Sequence, residues 1–189
     1  MSKRIPYKKL VVPAGLKGQI NGRLDKNFLV RVKTGGKMYK EAAESFNKMY
    51  DAAMAAGVHL RNIGDYRSYD GQFAMFMDRY VVAKPNDRRL RKPKTVTRKF
   101  DNKTWILKKG KAPSAAPDPT GKSGSNHGWG LAIDLATEGK GGNIVGLASD
   151  KKGFRWMCKN APAFGFYLQG DNMKSPEFEH WHWQWCDGK

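Results

Sequence analysis

The stretch EFEHWHWQW, residues 177–185, holds two histidines, two glutamates and three tryptophans in nine positions. Alternate residues of a strand point to opposite faces. Read as a strand, it puts His180, His182, Gln184 and Cys186 on one side and Trp181, Trp183 and Trp185 on the other. The tryptophans are expected on a core and the histidines at a cleft. Glu179 lies three residues before His182, so joint action of the two requires a bend near residues 179–181. Two rival registers stay open: His180 as ligand with Glu177 as base, or both histidines as ligands through His-x-His.

A partner stretch lies upstream in SNHGWGLAIDLA, residues 125–136. His127 sits in a Ser/Gly-rich loop and Asp134 near the end of an apolar strand. A carboxylate among such neighbours is costly to bury unless it is paired or bound to a cation. One His, one Asp and a C-terminal His make a three-ligand set with an open fourth position, as catalytic zinc requires. Zinc lowers the pKa of water from about 15.7 to roughly 7. A neighbouring carboxylate can then move protons between that water and a leaving amine. His59, in GVHLRN, has no such partner and reads as structural.

The rest of the chain supplies a scaffold. Residues 38–56 carry Ala42, Phe46, Met49 or Tyr50, and Ala53 at helical spacing, with Gly57 as a C-cap. VHLRNIGD reads as a strand. A second helix is expected from near Ser68–Asp70 through YVV, with Phe73, Phe76, Met77 and Tyr80 at i, i+3, i+4, i+7, and Phe73, Phe76 and Tyr80 in the core. WGLAIDLA, FYLQ and the terminal segment read as strands. DKKGFRWMCKN reads as a helix stopped by Pro162. The expected class is α+β: a small, mainly antiparallel sheet flanked by helices, with the site in a central cleft. Residues 1–36 read as a basic N-terminal arm or small strand pair, and 37–189 as one domain with a basic insertion at about 84–124. One strand, KTWILKK, is expected inside that insertion.

Charge bounds the partner. The 189 residues hold 35 Lys and Arg against 17 Asp and Glu, a net +18. Residues 84–111 alone carry twelve Lys or Arg and two Asp. Such an excess suits an anionic polymer: nucleic acid, membrane or cell wall. No recognition helix or nucleic-acid signature accompanies it, so no specific nucleic acid is expected. No run is long enough to span a bilayer. The basic N-terminus lacks the apolar run of a signal peptide. Cys158 and Cys186 form no metal-ligand pair and read as two buried thiols.

Three motifs in order carry a resemblance. SNHGWGLAID fits Ser-x-His-x-x-Gly-x-Ala-x-Asp, EHWHW looks like Glu-Pro-Trp-His-Trp, and YRSYDGQ looks like Tyr-Arg-Ser-Tyr-x-x-Gln. Over roughly residues 40–186 the chain resembles the VanY-type zinc D-alanyl-D-alanine carboxypeptidases, a family that includes D-Ala-D-Ala dipeptidases and phage L-alanyl-D-glutamate endopeptidases. The resemblance implies Zn²⁺ held by His127, Asp134 and His182. It implies Glu179 as general base and acid, Arg67 on a substrate carboxylate or the oxyanion, and Ser125 in the substrate pocket. The chain departs from the pattern at His180, where the family often has Pro. The implied substrate is bacterial peptidoglycan. With the charge and the N-terminus, the expectation is a phage lytic or virion-associated enzyme, made in the host cytoplasm and reaching the wall at lysis or with other virion proteins. A bacterial D-Ala-D-Ala carboxypeptidase is the alternative. A basic nucleic-acid- or wall-binding protein without catalysis is the alternative of another class.

Overall fold

The computed structural model describes residues 5–122, 124–169 and 179–186. In chain order the strands and helices are β1 (Leu29–Arg31), β2 (Lys37–Tyr39), α1 (Lys40–Ala55), β3 (Leu60–Gly64), α2 (Tyr69–Arg79), β4 (Tyr80–Val82), β5 (Thr97–Phe100), β6 (Lys103–Leu107), β7 (Ala132–Glu138), β8 (Ile144–Gly146), α3 (Lys151–Asn160), β9 (Phe166–Leu168) and β10 (His182–Trp185). The class is α+β, and every pairing between these strands is antiparallel.

The central sheet runs β3-β7-β10-β9, with β8 also on β7. Strand alternation sorts β7 cleanly. Ile133 and Leu135 enter the main core, and Asp134 takes the other face. The same rule sends Trp183 and Trp185 to the core and His182 toward the Asp134 side. α1 covers the core with Ala42, Phe46, Met49 and Ala53, the residues its periodicity selects. Residues 5–36 also lie on this core, where Leu16, Leu24 and Val32 are buried.

Four expectations need correction. The second helix stops at Arg79 rather than running through YVV: Tyr80, Val81 and Val82 pair with Leu107, Ile106 and Trp105 as β4. Phe73 is partly exposed at 37% and Met77 at 40%, while Gln72 and Phe76 take the buried face of α2. The basic stretch contains two strands, not one. Together with β4 they form a three-stranded sheet, order β4-β6-β5. It closes on α2 through a second core of Phe76, Tyr80 and Trp105, with Phe100 packed against it. Of the two cysteines, both free, Cys186 is buried and Cys158 only half-buried. Burial pushes the Cys186 thiol up to about 11.

Candidate metal centre and cleft

The register of β7 and β10 sets His182 directly opposite Asp134. Paired side chains on one face of a ladder stand about 4.5–5.5 Å apart at Cβ, within reach of each other. On the other flank of β7, Gly64 of β3 is opposite Asp134. A Cβ at Gly64 would stand 2.7 Å from Asp134 Oδ2, so the missing side chain leaves room for the carboxylate. The chain enters β7 through a short 3-10 turn, Asn126–Trp129, capped by Ser125 and ended by Gly130 at φ 65°. A side chain on Gly130 would also meet the Tyr39 backbone nitrogen at 2.7 Å. This turn aims the His127 ring at Asp134.

His127 Nε2 lies 3.3 Å and His182 Nδ1 3.0 Å from the same oxygen, Asp134 Oδ1. The ligand atoms of the three residues all fall within 4.8 Å of one another. Ligands about 2.0–2.1 Å from a tetrahedral zinc stand roughly 3.3–3.4 Å apart, close to the 3.3 and 3.0 Å separations of the two histidines from Asp134 Oδ1. The protons fit too. His127 Nδ1 is 2.9 Å from the Asp65 carbonyl oxygen, which can only accept. Nδ1 therefore carries the hydrogen, and the neutral ring offers a lone pair at Nε2. Burial lowers the His127 pKa and favours that neutral form. A lone pair and a carboxylate oxygen at 3.3 Å repel unless a cation lies between them. His182 Nε2 is buried without a hydrogen-bond partner among the described residues, so the ring serves the cluster through Nδ1 alone. Burial raises the Asp134 pKa, but the two imidazoles outweigh it and hold the carboxyl below the usual range.

The bend expected before β10 is present. His180 and Trp181 form a turn in which His182 N donates to Glu179 O at 3.2 Å. The turn carries Glu179 into the cleft with His182. His180 packs its ring on Phe154 of α3, centroids 4.9 Å apart, away from the three-residue cluster. Trp181 lines the cleft rather than the core, which corrects the expected tryptophan stripe at its first member. Glu177, the rival base, lies outside the described residues.

The cleft has a volume of about 540 Å³ and contains His127, Asp134, His182, Glu179, Arg67 and Ser125. Arg67 is held at both ends: its backbone N donates to His127 O at 3.1 Å and Nη1 donates to Gln72 Oε1 at 3.0 Å. Burial lowers its pKa, while the nearby Asp134, Glu179 and Asp65 charges act in the opposite sense. A guanidinium remains charged at neutral pH throughout. Sequence reasoning did not assign Gln72 or Asp65. Gln72 was visible in YRSYDGQ, one helical face from the residues below it. Asp65 acts through its backbone carbonyl, which leaves no mark in sequence. Asn126 Nδ2 donates to Gln184 Oε1 at 2.7 Å and ties the His127 turn to β10, a second tether without a sequence signal.

The model of the VanY family, D-alanyl-D-alanine carboxypeptidase, matches residues 35–188. The chain belongs to the VanY family. YodJ of Bacillus subtilis (strain 168), provisionally named a carboxypeptidase, is 27% identical over 154 residues, covering 79% of the chain. The chain spans about half of that relative's length, 46%. Among solved structures, the LdcB LD-carboxypeptidase superposes with a TM-score of 0.53 at 21% identity, over 99% of this chain and 72% of the other. VanYB in complex with D-alanine-D-alanine gives 0.54 at 17%, over 99% and 87%. A variant of the D,D-pentapeptidase VanY in complex with Zn(II) gives 0.54 at 18%, over 99% and 89%. At these identities the VanY structures share the fold with this chain. No helix among the described residues is long and apolar enough to cross a membrane.

Proposed function

We propose that the chain is a zinc-dependent peptidase that hydrolyses stem-peptide bonds of bacterial peptidoglycan. The observation that carries this reading is the His127, Asp134 and His182 cluster at the floor of a cleft shared with Glu179 and Arg67. Residues 37–189 are taken as the peptidase domain, 84–124 as its basic insertion and 1–36 as the N-terminal arm.

His127, Asp134 and His182 would hold the ion. When bound, zinc supplies the Lewis acidity that makes water a nucleophile at neutral pH and polarises a carbonyl. The rest falls to the chain. Glu179 takes one proton from the attacking water as its oxygen bonds to the scissile carbon. It then delivers that proton to the amine nitrogen as the C–N bond breaks. Arg67, fixed by Gln72, holds a substrate carboxylate or the oxygen that becomes negative. Preorganised charge of this kind contributes several kcal/mol, on the order of 3 or 4, to the transition state. Ser125 lines the wall beside it.

The test is digestion of purified peptidoglycan with and without a chelator, followed by mass spectrometry. We expect stem-peptide fragments that vanish with chelator and return with zinc. Release of D-alanine marks a carboxypeptidase, and new amino groups from opened peptides mark an endopeptidase. Metal-independent cleavage overturns the reading. Binding without cleavage replaces it with a wall-binding role. We take the setting to be lytic or virion-associated rather than that of a resident envelope carboxypeptidase; the +18 charge suits adsorption to an anionic wall in either. Finding the chain in purified virions, or released at lysis, checks that setting; finding it in envelopes of uninfected cells replaces it.

A further inference from the structure

The cleft has a second basic wall that the chemistry above does not use. Arg79 ends α2 and Arg98 lies in β5, and both line the cavity with Arg67. Their placement follows from local geometry. Gln72, Met75 and Arg79 recur at i, i+3 and i+7 on one face of α2, and all line or border the cleft. On β5, Arg98 and Phe100 are half-buried and alternate with exposed Thr97 and Lys99.

Both guanidiniums are pinned to one backbone segment. Arg79 Nη1 donates to Pro113 O at 3.1 Å, and Arg98 Nε donates to Ser114 O at 3.1 Å. Tyr80 fixes the same segment, its hydroxyl donating to Ser114 O at 3.1 Å. Arg98 Nη1 donates to Thr97 O at 3.0 Å. A guanidinium has five N–H donors, so each keeps donors in reserve. Among the described residues neither forms an ion pair, whereas Arg89, Lys103 and Lys111 each pair with an aspartate. Arg79 also acts on Arg67 as a like charge. Ser114 Oγ, beside them in the cavity wall, is buried without a hydrogen-bond partner among the described residues. Half-buried cations are costly without an anion to meet them, and the carboxylates lining the same cavity, Asp134 and Glu179, act on Arg67.

We propose that Arg79 and Arg98 form a second anion subsite, which takes a free carboxylate of the substrate peptide other than the one held by Arg67. The substrate class is then an acidic peptide with two carboxylates, such as a stem peptide whose γ-linked glutamate keeps its α-carboxylate. This rests on the peptidase reading and deepens it.

The test compares paired stem peptides that differ only in that α-carboxylate being free or amidated. We expect the wild-type zinc enzyme to favour the free acid by about tenfold in kcat/KM, mainly through KM, as one charge-assisted contact would give. Arg79→Gln with Arg98→Gln should bring the two peptides within about twofold, leaving the amidated peptide's rate nearly unchanged. A merely structural role would lower both rates and keep the ratio. Equal wild-type rates, or a ratio that survives in the double variant, overturn the subsite. If neither peptide is cleaved, the peptidase reading fails, and calorimetry with Glu179→Ala protein decides the subsite alone. Tighter binding of the acid that is lost in the Arg variants supports it, and equal binding overturns it.

Discussion

Gly64 and Asp134 face each other across the β3–β7 ladder, and the pair shows how a residue without a side chain shapes a candidate metal centre. Gly64→Ala sets a methyl group 2.7 Å from the Asp134 carboxylate unless that carboxylate moves. Neighbours that orient ligands are typically worth about 10–100-fold in metal affinity. We expect zinc affinity, read by chelator competition, to fall by roughly that factor while the chain stays folded. Unchanged affinity would show that the carboxylate has slack. Glu179→Ala tests the other half of the site. It should leave zinc affinity near wild type and cut kcat by about 10²–10⁴ with little change in KM. Loss of zinc in that variant would make Glu179 part of the metal site instead. His127 and Asp134 stood out in the sequence as candidate ligands because polar, ligating side chains lay in apolar company, whereas the choice of His182 over His180 came from the motif resemblance. The Asp65 carbonyl was not legible, since any residue type supplies one. Nor was the fate of His180, which depends on Phe154 being close enough to cover it.

At the scale of elements, hydrophobic period located α1, which buries one continuous face, and an apolar run located β7, which is buried on both. It failed at the end of α2, where Tyr80 continues the helical spacing but belongs to β4. The helix itself holds as far as Arg79, though with Gln72 and Phe76 rather than Phe73 on its buried face, and the β-branched Val81 and Val82 then pair with β6. The basic stretch looked like a loop because short strands with exposed Lys and Arg lack a strong alternating pattern. Its order comes from one aromatic cluster: Phe76 stacks on Tyr80 at 4.6 Å and meets Trp105 at 5.2 Å and Phe100 at 5.4 Å. Phe76 is fully buried, and Phe→Ala in a core costs about 3–5 kcal/mol. Because this cluster is separate from the main core, Phe76→Ala should loosen the three-stranded sheet and its cleft wall first. Melting should shift to lower temperature and substrate KM should rise, while zinc affinity holds. Zinc affinity falling in step with stability would show that the two cores act as one unit.

At the scale of the molecule, two basic surfaces coexist: a cleft that holds Arg67, Arg79 and Arg98 beside Asp134 and Glu179, and an exposed face with many cations. The sequence placed the charge excess in residues 84–111 but did not say which cations face solvent and which face substrate. The fold separates them. Arg98 turns into the cleft, whereas Arg88, Arg91, Lys92 and Lys94 lie exposed on the outer side of the same insertion. Exposed charges act over about a Debye length, roughly 8 Å at physiological ionic strength, so each contributes little alone and the group contributes through sum and steering. Replacing those four by Gln, with Arg98 kept, should weaken adsorption to isolated cell walls by about tenfold at low salt and flatten its dependence on salt. Turnover of a small soluble stem peptide should stay near wild type, because none of the four lines the cleft. Sedimentation of walls with labelled protein across a salt series separates the outcomes. Unchanged adsorption removes wall binding from the outer face of the insertion. A parallel loss of soluble-peptide turnover places those cations in substrate capture and merges the two basic surfaces into one.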